Sequence, residues 1–385
     1  MRQSTGAGTN YLVETPGGVL YSIYMDQGSD VAFKKSSDGG LSWSDSVVVS
    51  SNIGAQAVSV WYDRWSGING DLIHCAYNDT TADDVFYRSI NTASSDALSS
   101  ETVIFAGASS VIGSGYLTIC RARGGNLYCI YDIDGGTERG FARSTDVGAN
   151  WGARADPTEA GTDLAILMPG WAADNQDMMA FYWDVSANEI SRKLYDDSAN
   201  SWGETSIAGS MTSLAQSTGY PNFAGTVDST NSRNLLVAWS AADTSNADLR
   251  CWHVTESAIT EVTNVVLNST DDQGLCAIGI DTNTEDWYVF YGGKSDGSET
   301  FPTAMNIYYK VSTDDGATWG SETKLTNYTR NIDWLTTVPR FTTEFYAAYM
   351  EIAASNGPYA YINALVPSGG GATGGAHILG GTVCR

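Results

Sequence analysis

Several kinds of chemistry are excluded by what this chain has little of. Its three histidines, His74, His253 and His377, cannot supply a Ser–His–Asp set, and no Cys/His spacing of a metal centre occurs. Lysine is confined to Lys34, Lys35, Lys193, Lys294, Lys310 and Lys324, and the formal charge is −24. That sign argues against nucleic acid and anionic membranes as partners. No apolar run reaches the ~18 residues of a membrane helix, so no membrane insertion is expected. No window sustains a helical period for three turns. Met1 to Gly6 lack the apolar stretch of a secretory leader, so a virion or cytoplasmic location is expected over classical secretion.

A short pattern is present instead, seven times over. Apolar stretches reading LYSIY, LIHCAY, LYCIY, MMAFY, LLVAW, WYVFY and FYAAY close on Tyr24, Tyr77, Tyr131, Tyr182, Trp239, Tyr291 and Tyr349, at steps of 51 to 58 residues. Such a period marks supersecondary units that bury their faces only against their neighbours. Each unit carries short runs rich in Val, Ile, Tyr and Phe, separated by Gly, Asp, Asn and Ser. The first reads Tyr11–Thr15, Val19–Met25, Asp30–Lys35 and Ser46–Val49. Four strands per unit predict an all-β chain, a single β-propeller of four-stranded antiparallel blades.

A second signal lies between the third and fourth strands of a unit. Ser36-Ser37-Asp38-Gly39-Gly40-Leu41-Ser42-Trp43 returns at Ser144–Trp151 and Ser312–Trp319, with Asp146 and Trp151, then Asp314 and Trp319, in the same places. The fourth unit keeps Asp197 and Trp202. The expected structure is a compact turn in which Asp accepts backbone N–H bonds, Gly takes positive φ and Trp packs over the hairpin. These motifs resemble the Asp box (BNR repeat), S-x-D-x-G-x-x-W, of the sialidase (neuraminidase) superfamily. The chain also looks like sialidase-like propellers encoded by phages and environmental genomes, over nearly its whole length. Catalytic sialidases have six blades, which makes six the alternative to the seven counted from the repeat.

The propeller is expected to span residues 1–366, with blades ending near 50, 106, 160, 210, 267, 327 and 366. The seventh repeat has three clear strands, and Arg2–Gly8 is a candidate for its missing outer strand. Residues 367–385 form a glycine-rich tail suited to tethering the propeller in a larger assembly. Cys75, Cys129, Cys251 and Cys276 fall inside predicted strands as buried thiols, while counting back from Gly124-Gly125 sets Cys120 opposite Cys129 as a candidate cross-strand disulfide.

Ligands of propellers usually bind where the loops from second to third strands emerge. There the sequence places Asp79, Asp83, Asp84, Asp134, Glu138, Asp243 and Asp296, with Arg139 and Lys294 as counterweights. The Asp-rich loops are the candidates for Ca²⁺; no other cofactor is expected. The sialidase resemblance implies three arginines clamping a carboxylate, a Tyr–Glu nucleophile and an Asp acid. Asp26 matches the acid by position, and Tyr309 with Glu351 could imitate the pair. The strand that carries the family's R-I-P arginine reads Asn10–Pro16 here, with Glu14 and no arginine. Arg64, Arg121, Arg123 and Arg340 are the remaining inner-strand arginines, and surface roles near hairpins are the alternative for each. The expectation is a non-enzymatic propeller that binds a glycan or protein surface, as a phage virion or tail component. The alternative is an exo-acting glycoside hydrolase.

Overall fold

The computed structural model describes residues 12–25, 30–40, 42–50, 55–62, 70–79, 81–107, 117–133, 138–157, 164–184, 187, 189–208, 223–243, 246–267, 275–296, 298–299, 306–326, 332–342, 345–353 and 357–365. Among these there is no helix, and the strands form a β-propeller. Blade one holds β1 (Leu12–Glu14), β2 (Leu20–Met25), β3 (Val31–Ser36) and β4 (Val47–Val48). Blade two holds β5 (Ala55–Tyr62), β6 (Leu72–Asp79), β7 (Asp84–Asn91), β8 (Ala97–Leu98) and β9 (Thr102–Ala106). Blade three holds β10 (Leu117–Arg121), β11 (Leu127–Ile133), β12 (Glu138–Ser144) and β13 (Gly152–Ala153). Blade four holds β14 (Leu164–Pro169), β15 (Met178–Asp184), β16 (Glu189–Asp196) and β17 (Ser201–Ala208). Blade five holds β18 (Phe223–Asp228), β19 (Arg233–Asp243), β20 (Asn246–Val254) and β21 (Ile259–Glu261).

Blade six holds β22 (Cys276–Asp281), β23 (Trp287–Gly292), β24 (Ile307–Ser312) and β25 (Thr323–Lys324). The seventh repeat forms a three-stranded sheet of β26 (Ile332–Thr337), β28 (Phe345–Ala353) and β29 (Gly357–Leu365); β27 (Arg340–Phe341) leaves it to pair in parallel with β22. Six blades are thus complete, as in the six-blade alternative, and the seventh repeat contributes a smaller sheet beside them. Arg2–Gly8 and the tail lie outside the described residues.

Burial falls from the middle of each blade to its rim. β11 and β23 are buried along nearly their whole length, whereas β4, β13 and β25 are exposed. A second strand is covered on both faces by neighbouring blades, so its sequence reads as a continuous apolar run. The apolar clusters accordingly fill the wedges between sheets. One joins blades one, two and six to the seventh sheet through Leu12, Tyr77, Phe290 and Leu335.

The three Ser-x-Asp-x-Gly-x-x-Trp turns share one geometry. Asp146 Oδ1 accepts the Asn150 N–H at 2.8 Å and the Ser144 hydroxyl at 2.8 Å, and Ser144 Oγ accepts the Gly148 N–H at 2.8 Å. Asp38 and Asp314 repeat this with Ser42 and Thr318. These bonds lower the Asp38 pKa to about 2. Gly40, Gly148 and Gly316 have φ of 87°, 89° and 81°. The tryptophans reach further than the sequence suggested. Trp151 meets Tyr87 of blade two edge-on at 5.4 Å, and the indole N–H groups of Trp202 and Trp319 donate at 2.8 Å to Ala155 and Thr263 of the preceding blades. Trp43 alone bonds within its own turn, to Gly40 O at 3.1 Å.

The cysteine alignment is corrected by the β10–β11 register. Cys120 stands opposite Tyr128, and Cys129 opposite Ile119. A one-residue offset sends the two side chains to opposite faces of the sheet. Both are free, buried thiols, as are Cys75, Cys251 and Cys276.

Candidate functional site

First and third strands of a blade finish at the end that carries the Ser-x-Asp turns, and second-to-third loops emerge at the other. The repeated aromatics sit near that other end, and each must satisfy a buried polar group. Tyr291 donates to Glu322 at 2.7 Å, Tyr77 donates to Glu101, and Tyr24 pairs with Ser46 at 2.7 Å. Trp239 donates to the Leu275 carbonyl at 2.9 Å. Each acceptor of a tyrosine lies at or beside the blade's outer strand. Burial, and then the glutamate bond, raises the phenol pKa of Tyr77 and Tyr291. These Tyr–Glu pairs lie in the wedges between blades and do not line the central channel.

The acidic residues nominated from sequence are largely engaged in turns. Asp79 Oδ1 accepts the N–H groups of Thr81 at 2.7 Å and Ala82 at 3.3 Å. Asp83 has φ of 56°, and its carbonyl accepts the Gly107 N–H at 3.0 Å, which Asp84 Oδ1 shares at 3.1 Å. Arg139 and Asp132, cross-strand partners on β12 and β11, form a buried ion pair. Asp296 pairs with Lys294 and accepts two bonds from Ser298, which together depress its pKa. Lys324 binds Glu299 at 2.7 Å, and Lys193 lies 3.6 Å from Glu204. Among the described residues no three His, Cys, Asp or Glu side chains gather to hold a metal ion.

Of the catalytic candidates, Tyr309 and Glu351 fall on different sheets. Asp26 lies outside the described residues, as do Asp134 and Arg64. Tyr309 is on β24, half-buried, with its ring 5.7 Å from Phe290. Glu351 is on β28 of another sheet, opposite Ile332. Glu138 stands opposite Ile133 at the start of β12, and Asp243 opposite Asn246 at the end of β19.

The channel encloses about 700 Å³ of space open to solvent, between β1, β5, β10, β14, β18 and residues 338–340. Its wall is mostly aliphatic, and its hydroxyls tie inner strands together. Ser59 Oγ accepts the Ile119 N–H at 3.0 Å, and Thr118 Oγ1 accepts the Leu167 N–H at 3.2 Å. Glu14 is fully buried and accepts both the N–H and the hydroxyl of Thr342 at 3.0 Å. The described inner-strand arginines are also engaged. Arg121 donates to Gly125 O at 3.2 Å, Arg123 to Gly170 O at 2.7 Å, and Arg340 to Val227 O at 2.9 Å.

No protein-family model matches the chain, and no curated protein does either. Solved structures do resemble it. A polysaccharide lyase described as a PL25 ulvan lyase superposes with a TM-score of 0.56 at 9% identity, over 95% of this chain and 94% of that one. AofleA from Arthrobotrys oligospora gives 0.52 at 10% identity, over 94% and 90%. The GH74 xyloglucanase from Xanthomonas campestris gives 0.57 at 13% identity, over 96% of this chain and 54% of that one. At such identities the likeness extends to the fold.

Two histidines lie among the described residues, His74 buried and His253 half-buried. His74 Nδ1 lies 2.7 Å from the Tyr87 hydroxyl, and burial, then the charge of Arg121, draws its pKa down to about 3. His253 Nδ1 is 3.1 Å from Arg233 Nη1, and burial, then that charge, lowers its pKa too. Each imidazole bonds to the neighbouring strand of its own blade, Tyr87 on β7 and Arg233 on β19, a pairing the sequence did not reveal.

Proposed function

We propose that this chain is a non-enzymatic, sialidase-like Asp-box propeller that recognises a glycan on the face opposite its Ser-x-Asp turns. In this reading it serves a larger assembly, such as a phage virion or tail, to which the glycine-rich tail tethers it. The observation that carries the reading is Glu14: the position that matches the clamp arginine holds a buried carboxylate bonded to Thr342. That position therefore offers an acidic sugar no guanidinium fork. Arg121, Arg123 and Arg340 bond to carbonyls near the turn-bearing end, which further supports binding without sialoside hydrolysis. The polysaccharide-directed names of the ulvan lyase and the xyloglucanase support a carbohydrate ligand.

The test pairs a glycan array with a fluorogenic sialoside assay from pH 4 to 8. Saturable glycan binding without turnover is expected. Turnover abolished by Asp26→Asn or Glu351→Gln would install the hydrolase instead, and binding to no glycan would remove the carbohydrate reading. Ca²⁺ on the Asp-rich loops is a subsidiary part of the proposal. It requires Ca²⁺ to raise the melting temperature more than NaCl of equal ionic strength does.

A further inference from the structure

The inner strands of blades two and three, and of blades three and four, are tied by single side-chain bonds, Ser59 to Ile119 and Thr118 to Leu167. Between blade five and blade one the arrangement changes. Residues 338–342, Val-Pro-Arg-Phe-Thr, leave the seventh sheet and run along the channel wall at the end that carries the Ser-x-Asp turns. The Pro339 carbonyl accepts from Thr226 Oγ1 of blade five at 2.8 Å and from the Ile280 N–H of blade six at 3.0 Å. Arg340 donates to Val227 O of blade five at 2.9 Å. The Phe341 carbonyl accepts both the N–H and the hydroxyl of Thr282 at 2.9 Å, while its ring meets Tyr288 edge-on at 5.4 Å. Thr342 gives its N–H and hydroxyl to Glu14 of blade one.

We propose that residues 338–342 are the latch that closes this ring, joining blades five, six and one through one segment of the seventh sheet. A ring of blades is weakest where its first and last units meet, because no covalent connection crosses there. Glu14 and Thr342 supply that crossing with two hydrogen bonds at 3.0 Å to one buried side chain. A latch at this end also leaves the opposite end of the channel as the side from which a ligand would enter.

Three variants of the full chain test the latch: Glu14→Ala, Thr342→Val, and deletion of residues 1–11. The first should lower the melting temperature by about 3–6 °C and the second by about half as much. The deletion should shift it by no more than about 1 °C. In Glu14→Ala, amide exchange should rise by about tenfold at Thr342, Ile280 and Thr282 before it rises at Ile119 and Leu167. If Glu14→Ala fails to fold, Thr342→Val carries the same exchange comparison. A deletion more damaging than Glu14→Ala would assign closure to an N-terminal strand and overturn the proposal. Uniform acceleration across all blades in Thr342→Val would do so too.

Discussion

The guanidinium of Arg233 in blade five donates to Asp315 Oδ1 in blade six at 2.6 Å. The same group binds Asp228 of its own blade at 2.6 Å and lies 5.1 Å from the centre of the Trp287 ring. One side chain therefore joins a Ser-x-Asp turn, a buried carboxylate and an aromatic wall. The planar fork of arginine suits it to several partners at once, which a lysine could not match.

Its two ion pairs should contribute unequally. Asp228 is buried, and Arg233→Ala strands its charge, so a loss of about 3–5 kcal/mol is expected. Asp315 is 61% exposed, and Asp315→Ala should cost within about 1 kcal/mol. Urea unfolding of both variants measures the difference; equal losses would mean that the exposed pair carries the contact.

Glycine is required at the fifth position of the turn for two separate reasons. At Gly148 φ is 89°, and an added Cβ would come within 1.9 Å of Tyr87 Cε1. Gly148→Ala should therefore destabilise by about 2 kcal/mol or more. At Gly152 a Cβ meets nothing within 4 Å, so Gly152→Ala should be neutral or gain up to about 1 kcal/mol. Thermal melting of the two variants gives the comparison, and a tolerated Gly148→Ala would refute the close docking of this turn on blade two.

Acid should weaken the fold before carboxylates begin to titrate. His74 keeps a depressed pKa when folded and returns to its ordinary 6.5 when unfolded. The unfolded chain then binds more protons below pH 6.5, so stability falls as pH falls, by up to about 1.4 kcal/mol per pH unit. His253 acts in the same direction. Urea midpoints at pH 7, 6 and 5 should decline in the natural chain and decline less in His74→Gln. A parallel slope in that variant would acquit His74.

Thiol counting checks the corrected register. Burial pushes the Cys75 thiol up to about 12 and raises Cys129, Cys251 and Cys276 as well. Buried, protonated thiols react slowly. Native protein should present at most one reactive thiol to Ellman's reagent, and unfolded, unreduced protein all six. Four after unfolding would reveal a disulfide.

What the sequence determined by itself is local. The repeat of apolar stretches ending in an aromatic specifies four-stranded units, because a second strand covered on both faces must be apolar throughout. Ser144, Asp146 and Gly148 specify their turn, because their bonds close within four residues. Tertiary structure decided what crosses between units. Trp151 reaches Tyr87 in the previous blade, and one register step separates Cys120 from Cys129. Glu14 finds Thr342 across 328 residues of chain, and no spacing rule connects residues so far apart. The site shows both: Asp79 and Asp296 are occupied by residues within three positions of them, whereas Asp84 meets Gly107 only through the packing of β9 on β7.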